Sequence, residues 1–116
     1  MTNPLKDFLN SLASPQHSIA ETLAFIDSHY LYQPRAFTNG PVQNSADENQ
    51  RSCKILGLAL LEGLSSQQAL LAFGEFYRQV LATPDGNDHT NIRQLMQTGL
   101  EQVNFDNPPL TRRTTA

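Results

Sequence analysis

The sequence predicts a mainly α, single-domain protein: a bundle of about five helices around a central apolar helix, with room for one short strand pair. Three observations carry this. The chain has 116 residues, enough for one core and too few for two independent ones. Apolar residues recur at helical spacing along most of it. The segment from Ile55 to Leu61 is apolar around its whole circumference, the pattern of a helix enclosed by others.

The elements follow in order. Asn3-Pro4 reads as a helix start, and Leu5, Phe8, Leu9 and Leu12 form one apolar face. Ser14-Pro15 stops this helix and is placed to cap the next. Ile19, Leu23 and Ile26 continue at helical spacing to a predicted end near His29-Tyr30. From Leu31 to Gln43 the period is lost at Pro34, Asn39-Gly40 and Pro41. The apolar Leu31, Tyr32, Phe37 and Val42 in that stretch predict an ordered loop over the core, with a short strand near Tyr32 or Phe37.

Ser45 and Glu48 have capping-box spacing, so the central helix begins there or nearer Ser52, and Gly63 ends it. Ser65 and Gln68 repeat the box. One long stripe follows: Ala69, Leu70, Phe73, Phe76, Tyr77, Val80 and Leu81. Pro84 and Asp85-Gly86 make a turn, Asn87 or Asp88 caps the next helix, and Ile92, Leu95 and Met96 form its inner face up to Gly99. Val103 and Phe105 alternate with polar residues, as a short extended segment does. Residues 1–110 therefore read as one helical domain and 111–116 as a flexible tail.

A net charge of -3 and a pI near 5.4 argue against nucleic acid and against a polybasic membrane surface. No apolar run reaches the roughly 20 residues of a membrane-spanning helix, and no secretory signal is evident. The single Cys53 allows no internal disulfide. These features point to a cytoplasmic protein. Nothing calls for a cofactor, and oligomeric state is not readable.

The densest polar stretch runs from Thr83 to Arg93. Asp85, Asp88 and His89 are spaced i, i+3, i+4, so two carboxylates could orient an imidazole base or supply metal ligands. No other histidine is spaced to complete a metal shell, so no metal is assigned. Arg93 lies one turn after His89 and could clamp an anion. The plain structural reading makes Asp85 a turn residue, Asp88 a cap, and His89 and Arg93 partners of nearby backbone. Cys53 beside Lys54, near a helix start, could be an activated thiol or an inert core residue. Lys54 reads as a salt-bridge partner for Asp85 or Asp88. Asn39 could present its amide to the same place, or belong only to the Asn39-Gly40 turn. His17 and His29 look unremarkable.

These motifs cohere. Phe37-x-Asn39-Gly40, Asn49-x-x-Ser52-Cys53-Lys54, the string from Ala82-Thr83-Pro84-Asp85-Gly86 through Asp88-His89-x-Asn91-Ile92-Arg93, Val103-x-Phe105 and Pro109-Leu110 resemble the HopJ type III effector family, from about Ile19 to Leu110. The chain departs from the family at Arg51, where glycine is usual, and at Leu100, where an aromatic is common. The resemblance implies that the Thr83–Arg93 turn and Ser52-Cys53-Lys54 face each other. It brings no enzymatic activity with it.

The expectation is an interaction or ligand-binding module for an unknown protein or a small anionic ligand. Its polar cleft would be built from Asn39, Asn49, Lys54, Asp85, Asp88, His89 and Arg93. One alternative is a hydrolase or metal-assisted enzyme using His89 with Asp85 or Asp88. The other, implied by the family name, is an effector secreted into a host cell by a type III system.

Overall fold

The computed structural model describes residues 4–113. Six helices and five short strands follow in this order: α1 (Pro4–Ser11), α2 (Ile19–His29), β1 (Tyr30–Tyr32), β2 (Phe37–Asn39), β3 (Val42–Asn44), α3 (Gln50–Glu62), α4 (Ser66–Ala72), α5 (Glu75–Ala82), α6 (Thr90–Thr98), β4 (Val103–Phe105) and β5 (Leu110–Arg112). The fold is mainly α, as the sequence predicts. α3 is its centre: Cys53 and Ile55 through Ala59 are buried, while Leu60 turns outward. α2, α4 and β5 pack around it.

The expected strand pair is in fact two small antiparallel sheets. β1 pairs with β5, setting Tyr30 opposite Arg112 and Tyr32 opposite Leu110. β2 lies between β3 and β4, with Phe37 opposite both Asn44 and Phe105. Phe37 is the anchor its sequence context suggests, buried and stacked on Phe105 at 5.0 Å.

Local signals set most helix ends. The Ser65–Gln68 capping box forms in full, and Gly63 closes α3 in a left-handed conformation at φ 69°. Ser18, rather than Ser14, caps α2 by accepting from the Glu21 N–H. Ser45 and Glu48 bond to each other as expected, with Ser45 N–H to Glu48 Oε1 at 3.0 Å. They close a turn ahead of α3 instead of starting it, and the helix begins at Gln50.

The predicted long stripe after Ser65 is broken. α4 ends at Ala72, and α5 restarts at Glu75 behind Gly74, whose φ is 59°. A β-carbon on Gly74 would lie 2.5 Å from the Ile19 nitrogen and 2.7 Å from the Ser18 carbonyl carbon. The break lets the start of α2 press directly on the backbone. Two side chains seal the contact: Glu75 accepts the Ile19 N–H at 2.7 Å, and Thr22 Oγ1 donates to the Ala72 carbonyl at 2.7 Å. His17 is no bystander here. It is buried, with Nε2 2.7 Å from Thr22 Oγ1 and Nδ1 3.0 Å from the Glu21 carboxylate.

Residues 111–113, read from sequence as part of a loose tail, belong to the fold. Thr111 and Arg112 pair with β1, Arg113 N–H donates to the His29 carbonyl at 3.0 Å, and the Arg112 guanidinium meets Glu62. Strand pairing with a distant segment holds them, which local apolar content could not reveal. Residues 114–116 and the Asn3 cap lie outside the described residues. Met96, expected on the inner face of α6, is exposed, while Ile92 and Leu95 are buried.

Candidate functional site

The Thr83–Arg93 stretch is a turn wound around one side chain. Arg93 Nε donates to the Asp88 carbonyl at 2.6 Å, Nη1 to the Thr83 carbonyl at 2.8 Å, and Nη2 to Thr83 Oγ1 at 3.1 Å and Asp88 Oδ1 at 2.5 Å. Gly86 leaves room for this packing: a β-carbon there would meet Arg93 Nη2 at 2.7 Å and the Thr83 carbonyl oxygen at 3.2 Å. The Arg93 hydrogen bond holds the Asp88 carboxyl below the usual aspartate range. Arg93 thus spends its guanidinium on the turn. Asp88 is tied to it and does not cap α6. Asp85 is exposed and makes no hydrogen bond or ion pair among the described residues.

His89 caps α6 instead, in a left-handed conformation at φ 50°, ψ 52°. Its ring stacks on Phe76 at 4.9 Å and 23°. Its Nε2 lies 2.9 Å from Gln79 Oε1, within hydrogen-bond distance. Asn49 caps α3 in the same conformation, at φ 51°, ψ 48°. Neither cap supplies a side-chain bond to its helix.

Behind these two helix starts lies a buried carboxamide network. Asn39 Nδ2 donates to the Asn91 carbonyl at 3.0 Å and to its Oδ1 at 3.1 Å. Asn91 Nδ2 donates to Asn44 Oδ1 at 2.9 Å, and Asn49 Nδ2 donates to the same oxygen at 2.6 Å. Asn39, Asn44 and Asn91 are buried. The network ties β2 and β3 to the first turn of α6 and to the cap of α3. Asn39 therefore supports the site from behind and does not project into it.

The two helix starts open onto a cleft of about 660 Å³ whose apolar lining residues are Ile19, Phe73, Phe76 and Ile92. Its polar lining comes from Asn49, Gln50, Arg51 and Ser52 at the start of α3 and from His89, Thr90 and Asn91 at the start of α6. Asp47 stands in the lining as well, its carboxylate 2.6 Å from Ser45 Oγ. Arg51 is exposed and makes no hydrogen bond or ion pair among the described residues. Its guanidinium carbon rests 5.6 Å from the Phe76 ring centroid, a cation–π contact that leaves its donors open.

Of the residues singled out from sequence, Asn49 and His89 meet at the cleft, Asn39 backs it, and Asp88 and Arg93 hold the turn beside it. Lys54 is elsewhere. It pairs with Asp27 at 3.2 Å and lies 4.9 Å from the Tyr32 ring centroid, not with Asp85 or Asp88. Cys53 is fully buried, its thiol 3.5 Å from the Arg35 carbonyl. Only Ser52 of the Ser52-Cys53-Lys54 segment faces the Thr83–Arg93 side, because successive helical residues diverge by about 100°. Sequence reading missed Arg51, Phe76 and Asn91 as site components. Asn91 stood inside the string that carries the family resemblance, and Arg51 was visible as the departure from glycine.

An α-rich domain with two small sheets and a cleft between helix starts is thus the class of protein defined here. The chain belongs to the HopJ type III effector protein family, whose pattern matches residues 5–110. It is also similar to VPA0580, a protein of unknown function whose crystal structure superposes with a TM-score of 0.88 at 44% identity, covering 97% of each chain. No curated protein matches the chain.

Proposed function

We propose that this protein is a binding module for a small anionic ligand, taken up in the cleft between the first turns of α3 and α6. One observation carries this reading. Among the described residues, Asn49 and His89 are the only non-glycine residues with positive φ, and each is the N-cap of a helix whose first turn lines the same cleft. This conformation is uncommon outside glycine, asparagine and histidine being among the residues that enter it more readily, and it occurs disproportionately at functional sites. The two caps bring the first-turn N–H groups of both helices, from Gln50 to Ser52 and from Thr90 to Asn91, to the lining of one cleft. Both sets carry the positive end of a helix dipole. Arg51 adds an uncommitted cation.

The cleft is concave and of a size that suits a small molecule, which favours a ligand over a protein surface. An acid–base enzyme built on His89 with Asp85 or Asp88 draws no support from the geometry: Nε2 faces Gln79, Asp88 is held by Arg93, and Asp85 stands exposed.

Amide-resolved NMR titration with inorganic phosphate at low ionic strength tests the reading. Shifts concentrated at Gln50, Arg51, Ser52, Thr90 and Asn91, and abolished in Arg51→Glu, are expected. Shifts absent from these amides would overturn it. The family's description as effectors suggests export, which a translocation reporter fused to the chain would examine. No described helix is long and apolar enough to cross a membrane.

A further inference from the structure

We propose that His17 is a pH-sensitive clasp: an imidazolium, protonated on both nitrogens, that fastens the start of α2 to the α4–α5 junction and loosens it as the pH rises. A count of hydrogens carries this. The Ala72 carbonyl lies in the last turn of α4, where helix carbonyls lack a partner within their own helix. It accepts from Thr22 Oγ1 at 2.7 Å, and Thr22 is fully buried. A hydroxyl has one hydrogen, and this bond uses it. The same oxygen lies 2.7 Å from His17 Nε2, so there it accepts and Nε2 donates. Nδ1 is also buried. It meets the Glu21 carboxylate at 3.0 Å, as an ion-pair contact without an aligned hydrogen bond. A carboxylate has only acceptors to offer. A lone pair on Nδ1 would oppose that anion, whereas a second ring hydrogen is attracted to it.

The surroundings suit a cation. α1 turns the Phe8 ring to His17, edge-on at 5.8 Å, while its own Lys6 and Asp7 are exposed. α2 brings Glu21 and α4 the Ala72 carbonyl through Thr22. α5 brings Glu75, whose carboxyl is held below the usual glutamate range chiefly by the Ile19 N–H, with Arg78 and His17 contributing. The charged groups set against His17 are thus two carboxylates, with Arg78 beside one of them.

Removing one proton leaves the ring a hydrogen short. Glu21 is exposed and free to turn to water, so Nε2 keeps its hydrogen and the Glu21 link opens. The bond to Thr22 then loses its charge assistance. The loosened contact matters for the cleft, because Ile19, Phe73 and Phe76 of its lining stand on the segments that the clasp joins. The proposal is independent of any reading of the ligand.

Long-range 1H–15N NMR of the His17 ring in the full chain, between about pH 5.5 and 8.5, tests this. Both ring nitrogens should carry hydrogen at the acid end, and Nε2 alone at the alkaline end. The Phe73 amide, which shares a peptide unit with the Ala72 carbonyl, should shift with the same midpoint. Glu21→Gln, at an exposed position, should move that midpoint to lower pH. Because the folded state holds the extra proton, stability is present at the acid end and lost as pH rises. Urea unfolding of the parent should show this loss, and Glu21→Gln should lose less. A ring that keeps one protonation state throughout, a Phe73 amide that does not follow the ring, or equal losses of stability in parent and variant would each overturn the clasp.

Discussion

Asn39 and Asn91 stand 52 residues apart in the chain, and the Asn39 amide nitrogen donates to both the main-chain and the side-chain oxygen of Asn91. This double bond pattern fixes the amide's orientation, since reversing it would set oxygen against two oxygens. Asn91 in turn holds Asn44, so one residue in the first turn of α6 organises a sheet behind the cleft. Replacing Asn91 with alanine strands buried carboxamides on β2 and β3. A loss of about 2–4 kcal/mol in urea unfolding is expected, and a value near zero would show the network to be dispensable.

Gly74 and Gly63 both have positive φ, but their surroundings differ. A β-carbon on Gly63 meets nothing within 4 Å, whereas one on Gly74 would strike the Ile19 and Ser18 backbone. Gly63→Ala should therefore cost only the conformational strain, roughly 1 kcal/mol. Gly74→Ala should cost about 1–3 kcal/mol more, because backbone cannot move aside as a side chain can. Equal unfolding midpoints for the two variants would refute this.

The Asp88–Arg93 pair predicts an acid-sensitive turn. Folding lowers the Asp88 pKa, chiefly through its bond from Arg93. A carboxyl with a depressed folded pKa stabilises fully above its unfolded value, about 3.9 for aspartate. That contribution fades as pH falls through the folded value. Asp88→Asn should thus unfold at lower urea than the parent at pH 7, and the gap should close on acidification. A gap that is independent of pH would assign the effect to something other than the carboxylate.

Glu62 joins the chain's last strand to its central helix. It accepts from Tyr30 Oη and from Arg112 Nε at 3.2 Å, and pairs with Arg112 Nη2 at 2.5 Å. The Arg112 bond is the main reason its carboxyl sits below the usual glutamate range. Burial, followed by the Glu62 bond, raises the Tyr30 phenol above the usual range. Truncation after Pro109 removes this partner together with the buried Leu110. The apolar loss alone is on the order of 2 kcal/mol, so the truncated chain should show a clearly lowered melting temperature by circular dichroism. An unchanged melting temperature would mean that β5 merely rests on the surface.

The sequence by itself determined what short-range physics controls. Helical spacing in residues 5–12, 19–26 and 55–61 marked three helices. Gly63, Gly99 and the Ser65–Gln68 box marked ends that depend on a residue and its near neighbours. The family was legible because its most distinctive string is continuous. Tertiary structure alone decided the rest. Three-residue strands such as β1 and β5 have no stability until they meet, and no local pattern announces a partner at the other end of the chain. The break at Gly74 exists because α2 needs the space a side chain would fill. Arg93 looked like an anion clamp until the turn closed around its guanidinium, and Lys54 turned to Asp27 because α2 packs on that side of α3. The candidate cleft was half visible for the same reason. Asn49 and His89 stood out as polar residues near helix starts, but only the packed fold set their left-handed caps side by side and brought Arg51 onto Phe76.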